Sequence, residues 1–402
     1  MPRWTRSYLW IPFSVLVVAD LAAQGSGPLA SGSESRWELV GLPYVNFGSD
    51  EGLGYGVIGG AYLQSPSEGL PYRLSLEPTL FMTTEGRRDL TLFMDAPGML
   101  PPGWRVDVSG GLERNLAVPY YGVGNDTPYA PDLEEDGRAS YYRFGRNRRH
   151  LRVNVQRTIS GTPIRVLAGA GAARTVVDSG ARGEGPTLLA EELEFAGRLP
   201  PVQTRSLRIG LVRDTRDHET VPRRGSWSEF LVEQNVEAVG GDLAFTRWTA
   251  ADRRFLAITG SLVLAHRFVI QEVRGPAPPH ELMRIPSSFK EQEGLGGAGT
   301  VRGLPQNRCV GRGLFLWNVE LRWEADEVRI HRFGVRPGAV AFLDSGRVWE
   351  GGVHPPELLR DLHHAAGMGL RFRLGDSFLI SADLGRSSGS PLGFYLGVGH
   401  LF

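Results

Sequence analysis

Alternation with a period of two runs through almost the whole chain. Between Trp104 and Glu113, the apolar residues Trp104, Val106, Val108 and Leu112 share one parity, while Arg105, Asp107, Ser109, Gly111 and Glu113 take the other. Leu151, Val153 and Val155 alternate with Arg152, Asn154 and Gln156. Phe315, Trp317, Val319, Leu321 and Trp323 alternate with Asn318, Glu320, Arg322 and Glu324, and Met368, Leu370, Phe372 and Leu374 with Gly367, Gly369, Arg371 and Arg373. Successive side chains on a strand point to opposite faces, so each segment reads as a strand with one apolar and one polar face. Sixteen strands are predicted, with cores at 37–47, 52–64, 72–84, 87–96, 103–114, 140–157, 162–178, 203–214, 225–236, 243–256, 258–272, 312–324, 337–349, 365–375, 377–386 and 392–402. The connections 115–139, 179–202 and 273–311 are long, and Leu188–Phe195 has helical character.

Parity alone leaves open what each face sees. A soluble sandwich turns its apolar face inward, whereas an outer-membrane barrel gives it to lipid and lines the lumen with Arg, Glu, Asn and Gly. Alternating runs of about 9–11 residues suit tilted strands that cross a bilayer. Aromatic residues at strand ends (Trp317, Trp323, Phe394 and Phe402) fall where an interfacial girdle lies. An N-terminal signal peptide completes the case: Arg3 and Arg6 precede an apolar core at Leu9–Val18, and Ala22-Ala23-Gln24-Gly25 offers small residues for cleavage. The expected organisation is a signal peptide over 1–25, a short linker over 26–36 and, over 37–402, an all-β, sixteen-stranded antiparallel transmembrane barrel in a Gram-negative outer membrane.

Composition narrows the function. Forty-four basic residues balance forty-four acidic ones, which argues against a nucleic-acid binder. A single cysteine, Cys309, excludes an intrachain disulfide framework and a Cys-based zinc site. Glycine is in excess, 53 of 402 residues, and falls in turns and on the lumen-facing parity. Lys290 is the only lysine, which we read as genome composition. Gly385-Arg386-Ser387-Ser388-Gly389 matches G-x-S-x-G by letters but lies in a hairpin, where turn chemistry is the better reading. Gly294-Leu295-Gly296-Gly297-Ala298-Gly299 imitates a dinucleotide loop without the following helix. Asp361, His363 and His364 lack a common face, and Asp214, Asp217, His218 and Glu219 read as a solvated turn. No catalytic residue, metal or cofactor is expected.

One constellation remains. The 273–311 connection ends in Gly299-Thr300-Val301-Arg302-Gly303-Leu304, the next strand carries Asn318-Val319-Glu320-Leu321-Arg322, and the one after reads Phe342-Leu343-Asp344-Ser345-Gly346. This set resembles the bacterial surface antigen superfamily of BamA- and TamA-like outer-membrane assembly factors and two-partner-secretion transporters. There a V/I-R-G-F/Y motif tips the sixth extracellular loop, folds into the lumen and meets acidic residues on the twelfth and thirteenth strands. The resemblance implies that Val301, Arg302, Gly303 and Leu304 form that tip, with Leu304 in place of the usual aromatic. It makes Glu320 and Asp344 the lumenal partners, the latter within the strand motif Phe342, Asp344 and Gly346. Tyr121–Thr127, Asp214–Asp217 and Leu42-Pro43 add to it, and Phe402, with Val398, Leu396 and Phe394 before it, resembles the C-terminal sorting signal of such barrels.

Independently, an Arg fork accepts two carboxylates at once, which Lys cannot reproduce, and glycines let a threaded loop turn tightly. Pro43 on the first strand and Gly393, Gly397 and Gly399 on the last predict a weakly paired closing seam. The resemblance implies that this seam opens laterally for client outer-membrane or secreted polypeptides. It also implies POTRA domains, for which only the short linker has room, so client capture is expected to fall to a periplasmic partner or to be lost. Other expected partners are outer-membrane lipid and lipopolysaccharide, with no nucleic acid. The competing reading is a passive pore or structural surface barrel. A lipid-facing hydrolase would need a Ser–His pair, and none stands out.

Overall fold

The computed structural model describes residues 37–48, 52–63, 72–130, 132–135, 140–180, 186–219, 221–330, 333–352, 357–374 and 378–402. The expected signal peptide and linker lie outside them. Sixteen barrel strands are found among the described residues, in the predicted order: β1 Trp37–Gly48, β2 Gly52–Leu63, β3 Leu74–Thr83, β4 Arg88–Ala96, β5 Trp104–Pro119, β6 Arg143–Thr158, β7 Ile164–Asp178 and β8 Val202–Asp214. They continue as β9 Gly225–Asn235, β10 Thr246–Ala257, β11 Leu262–Arg274, β12 Gly313–Glu324, β13 Phe333–Trp349, β14 His363–Leu374, β15 Phe378–Ser387 and β16 Gly393–Val398. Each pairs antiparallel with its chain neighbours, and β1 pairs with β16 to close the barrel. A short helix, Leu188–Glu192, occupies the connection in which helical character is expected, capped by the Thr187 hydroxyl on the backbone N–H of Ala190.

The two faces are inverted relative to a soluble protein. Leu90, Leu112, Leu151, Ile209, Leu256, Trp323, Met368 and Leu370 are exposed on the outside, while Asp107, Asn154, Arg208, Arg267, Asn318, Glu320 and Asp344 are buried inside. Lipid takes the first set and the lumen the second. Glycines on the inner parity make room for what fills that lumen. A Cβ on Gly367 would stand 2.3 Å from the Phe342 ring, and one on Gly346 would stand 2.6 Å from Leu295.

What fills it is the β11–β12 connection. It descends through a helical turn, Pro279–Leu282, into a two-residue hairpin, Arg284–Ile285 with Gln292–Glu293, and then a second finger closed by the Leu295↔Cys309 bridge.

One expectation fails. The last strand was predicted over 392–402, with Phe402 in the outer girdle, but β16 stops at Val398. Gly399 takes φ +90°, its N–H donates to the carbonyl of Leu379, and the chain turns inward. The Phe402 ring lies 4.9 Å from the Arg322 guanidinium and 5.3 Å from that of Arg267, and its carbonyl oxygen accepts from Arg322 at 2.8 Å. Two lumenal cations and a left-handed glycine outcompete a ladder that strict alternation would have continued.

Candidate functional site

The second finger places its tip against the wall formed by β12, β13 and β15. Arg302 donates from Nε to Asp344 Oδ2 at 2.8 Å and from Nη2 to Asp344 Oδ1 at 3.0 Å, a bidentate fork. Its Nη1 reaches Glu320 at 2.7 Å and Asp383 at 3.1 Å. Its backbone N–H also donates to Asp344, and its guanidinium sits 3.5 Å from the centre of the Phe342 ring. Burial works against the Arg302 charge, but Asp344 and Glu320 outweigh it and raise its pKa above the ordinary value. Alternation delivers these acids: Asn318, Glu320 and Arg322 share the inner parity of β12, and Phe342, Asp344 and Gly346 that of β13.

The acids are themselves held. Asn318 bridges Asp344 at 2.8 Å and the Thr300 carbonyl at 2.7 Å, Arg322 donates to Glu320 at 2.8 Å, and Arg371 grips Asp383 with both nitrogens. Val301 and Leu304 are buried with Leu295, Leu314, Leu316 and Val348 in one apolar cluster. Gly303 has φ +92° and lies on Gly385 of β15. A Cβ on Gly303 would stand 2.5 Å from the Gly385 backbone, and one on Gly385 2.6 Å from the Arg302 carbonyl. The Gly303 N–H donates to the Tyr395 hydroxyl of β16 at 3.0 Å.

Sequence reasoning missed Asp383, Asn318, Gly385 and Tyr395. Each stands on the inner parity of its strand, but nothing in the local sequence marks it as a neighbour of the loop. Also missed is the first finger, which reaches the opposite wall. There the Ser288 N–H donates to Glu229 at 2.8 Å, Arg208 and Arg152 donate to the carbonyls of Ser287 and Phe289, and the Phe289 ring meets Phe93 edge-on at 4.8 Å. The Tyr121–Thr127 segment supports the loop base: Thr127 accepts two bonds from Arg308, and Asn125 Oδ1 accepts from the backbone of Val348.

The seam residues lie apart from the tip. Among the described residues, β1 meets β16 only at Phe47↔Leu396 and Gly48↔Tyr395, whereas it pairs with β2 from Trp37↔Leu63 to Gly48↔Gly52. Pro43 faces Val57 of β2 and has no partner on β16, while Gly393 and Gly397 pair with Gly385 and Ser381 of β15. A Phe47–Phe394 ring contact at 5.8 Å accompanies the short pairing.

The remaining candidates resolve into structure. Gly385–Ser387 ends β15 with no helix after it. Asp214 is gripped by Arg216, and Asp217 accepts the backbone N–H groups of Arg223 and Arg224. His363 and His364 diverge, toward Asn125 and Ser345 respectively. A Ser–His pair therefore does exist, contrary to expectation: Ser345 Oγ lies 2.8 Å from His364 Nδ1 on the outer face. Ser345 is 3% exposed and held mid-sheet between Trp317 and His364, without the sharp strand-to-helix turn that presents a nucleophile.

The Omp85 superfamily domain matches the chain over residues 83–402. The chain belongs to that superfamily. The superfamily includes transporters and assembly factors, and this barrel resides in the Gram-negative outer membrane. Similar solved structures include BamA from Haemophilus ducreyi lacking POTRA domains 1–3, at 13% identity and TM-score 0.58, covering 91% of this chain and 70% of that one. CdiB from Escherichia coli is similar at 12% identity and TM-score 0.57, covering 92% of this chain and 64% of that one. At such identities the likeness is one of fold. No curated protein matches the sequence.

Proposed function

We propose that this Omp85 barrel passes or inserts polypeptide segments of client outer-membrane or secreted proteins through the β1–β16 seam, without covalent chemistry. The loop tip at Arg302 acts as a latch that keeps the facing wall rigid while the seam yields. The observation that carries this reading is the contrast in pairing: two residue pairs close the barrel where β1–β2 runs the full strand length. Unpaired strand edges are templates for an incoming strand, and among the described residues β1 has no ladder partner on its β16 side from Trp37 to Val45.

The test is a disulfide across the seam, Phe47→Cys with Leu396→Cys, in protein reconstituted in liposomes. The native thiol does not compete, since Cys309 is buried and burial pushes it up to about 12. Oxidation is expected to abolish acceleration of a second barrel's folding, and reduction to restore it. Acceleration that is indifferent to the lock overturns the reading. The passive-pore alternative predicts a steady single-channel current. Both fingers of the β11–β12 connection span the lumen and pin to opposite walls, which favours a closed barrel.

A further inference from the structure

Most lumenal arginines hold acids, but one set of arginines points the other way. Arg88 on β4, Arg114 on β5, Arg149 on β6, Arg174 on β7 and Arg205 on β8 occupy the outward parity at the end of the barrel that carries the long connections. On every one of these strands the arginine stands two residues beyond an outward apolar side chain, which is Leu90, Leu112, Leu151, Ala172 and Leu207 in turn. The five therefore form one belt at the upper margin of the lipid-facing surface. Long connections mark the extracellular side, so that margin is the outer leaflet.

Sheet register sets like charges against each other. Arg88 lies directly opposite Arg114, and Arg149 directly opposite Arg174. Such pairs destabilise a sheet unless an anion sits between them. None of the five forms an ion pair among the described residues, and the hydrogen bonds of Arg205 go to the Thr204 carbonyl and the Gln203 side chain. Inside the barrel Arg105, Arg253, Arg302 and Arg371 all hold carboxylates. Directly beneath Arg149, Arg174 and Arg205 the outer surface is hollowed by about 590 Å³, where Gly110 and Ala172 stand among the larger Leu92, Leu112 and Leu151.

We propose that this face is a binding site for lipid A, the phosphorylated anchor of lipopolysaccharide in the outer leaflet. Its phosphates bridge the Arg149–Arg174 and Arg88–Arg114 pairs in fork geometry, and an acyl chain fills the hollow at Gly110 and Ala172. The occupant must carry both phosphate and hydrocarbon, because the unpaired cations and the apolar hollow adjoin.

The experiment uses the full barrel in neutral detergent, with purified bisphosphorylated lipid A as probe and phosphatidylglycerol as the comparison. Lipid A is expected to bind and to raise the temperature at which the barrel loses its compact form on an unboiled gel. In the triple variant Arg149→Gln, Arg174→Gln, Arg205→Gln, affinity is expected to fall roughly 100-fold, at about fivefold per arginine near a charged surface. Without lipid the variant should be at least as heat-stable as the native chain, since it loses only repulsion; a variant that unfolds overturns the view that these cations are uncompensated. Equal binding by native and variant barrels overturns the site. Phosphatidylglycerol binding as tightly as lipid A overturns the assignment of the occupant.

Discussion

Two adjoining stretches of the same wall are built on opposite principles. Across β12, β13 and β15 the wall carries Glu320, Asp344 and Asp383, and one loop arginine ties all three together with no solvent access. Across β16 and β1 the ladder among the described residues holds two residue pairs, with a Phe47–Phe394 ring contact beside them. Backbone ladders are the default means of holding strands together, so the first stretch is over-determined and the second under-determined. A barrel that must open at one place gains from this asymmetry, because strain imposed at the seam is not shared by a wall that its own loop has stapled.

The comparison is broken most directly at the staple. Asp344→Ala leaves the Arg302 guanidinium buried beside an empty site, and breaking such a pair costs about 3–5 kcal/mol. The expected outcome is a clear drop in the temperature at which the compact, fast-migrating form is lost on an unboiled gel, with a comparable drop for Arg302→Ala. Unchanged migration in both removes the latch.

A smaller effect separates two glycines. Gly385→Ala drives a Cβ to 2.6 Å from the Arg302 carbonyl, and overpacking of this kind costs about 1–3 kcal/mol. Gly41→Ala, on β1 beside the seam, meets nothing within 4 Å, so it is expected to be neutral or stabilising by about 0.5–1 kcal/mol. Measured in the same gel assay, equal losses at both positions contradict the asymmetry.

How much of this was legible beforehand follows from what a period-two pattern contains. Parity names the face of every residue, so the sixteen strands and the inward placement of Glu320 and Asp344 could be read directly. Arg302 was legible because its loop motif and both acids occur in order. Asp383 was not, since an isolated acid on the inner parity resembles any other lumenal charge until the loop lands beside it. The hairpin at Arg284–Glu293 has two-residue strands, too short for alternation to register. Phe402 continues the parity of Phe394, Leu396 and Val398 in its letters, but Gly399 adopts a positive φ that no parity reveals. The outward arginines show their meaning only after the register sets Arg149 opposite Arg174.

The smallest predicted effect tests how the two stretches communicate. Tyr395 belongs to the seam, opposite Gly48 of β1, yet its hydroxyl accepts the Gly303 N–H at the tip of the loop. This hydrogen bond joins the loop tip to the strand that the proposed gating would move. Tyr395→Phe keeps the ring and removes the hydroxyl, taking away the acceptor of the buried Gly303 N–H at a cost of about 1 kcal/mol. Global heat stability should therefore fall only slightly. Hydrogen exchange should speed up in Gly393–Val398 and at the Gly303 amide while β12 and β13 stay protected, because the bidentate grip of Asp344 on Arg302 does not pass through the tyrosine. Faster exchange spread evenly over the barrel would mean that seam and wall behave as one unit, and that the tyrosine is a general support rather than a joint between them.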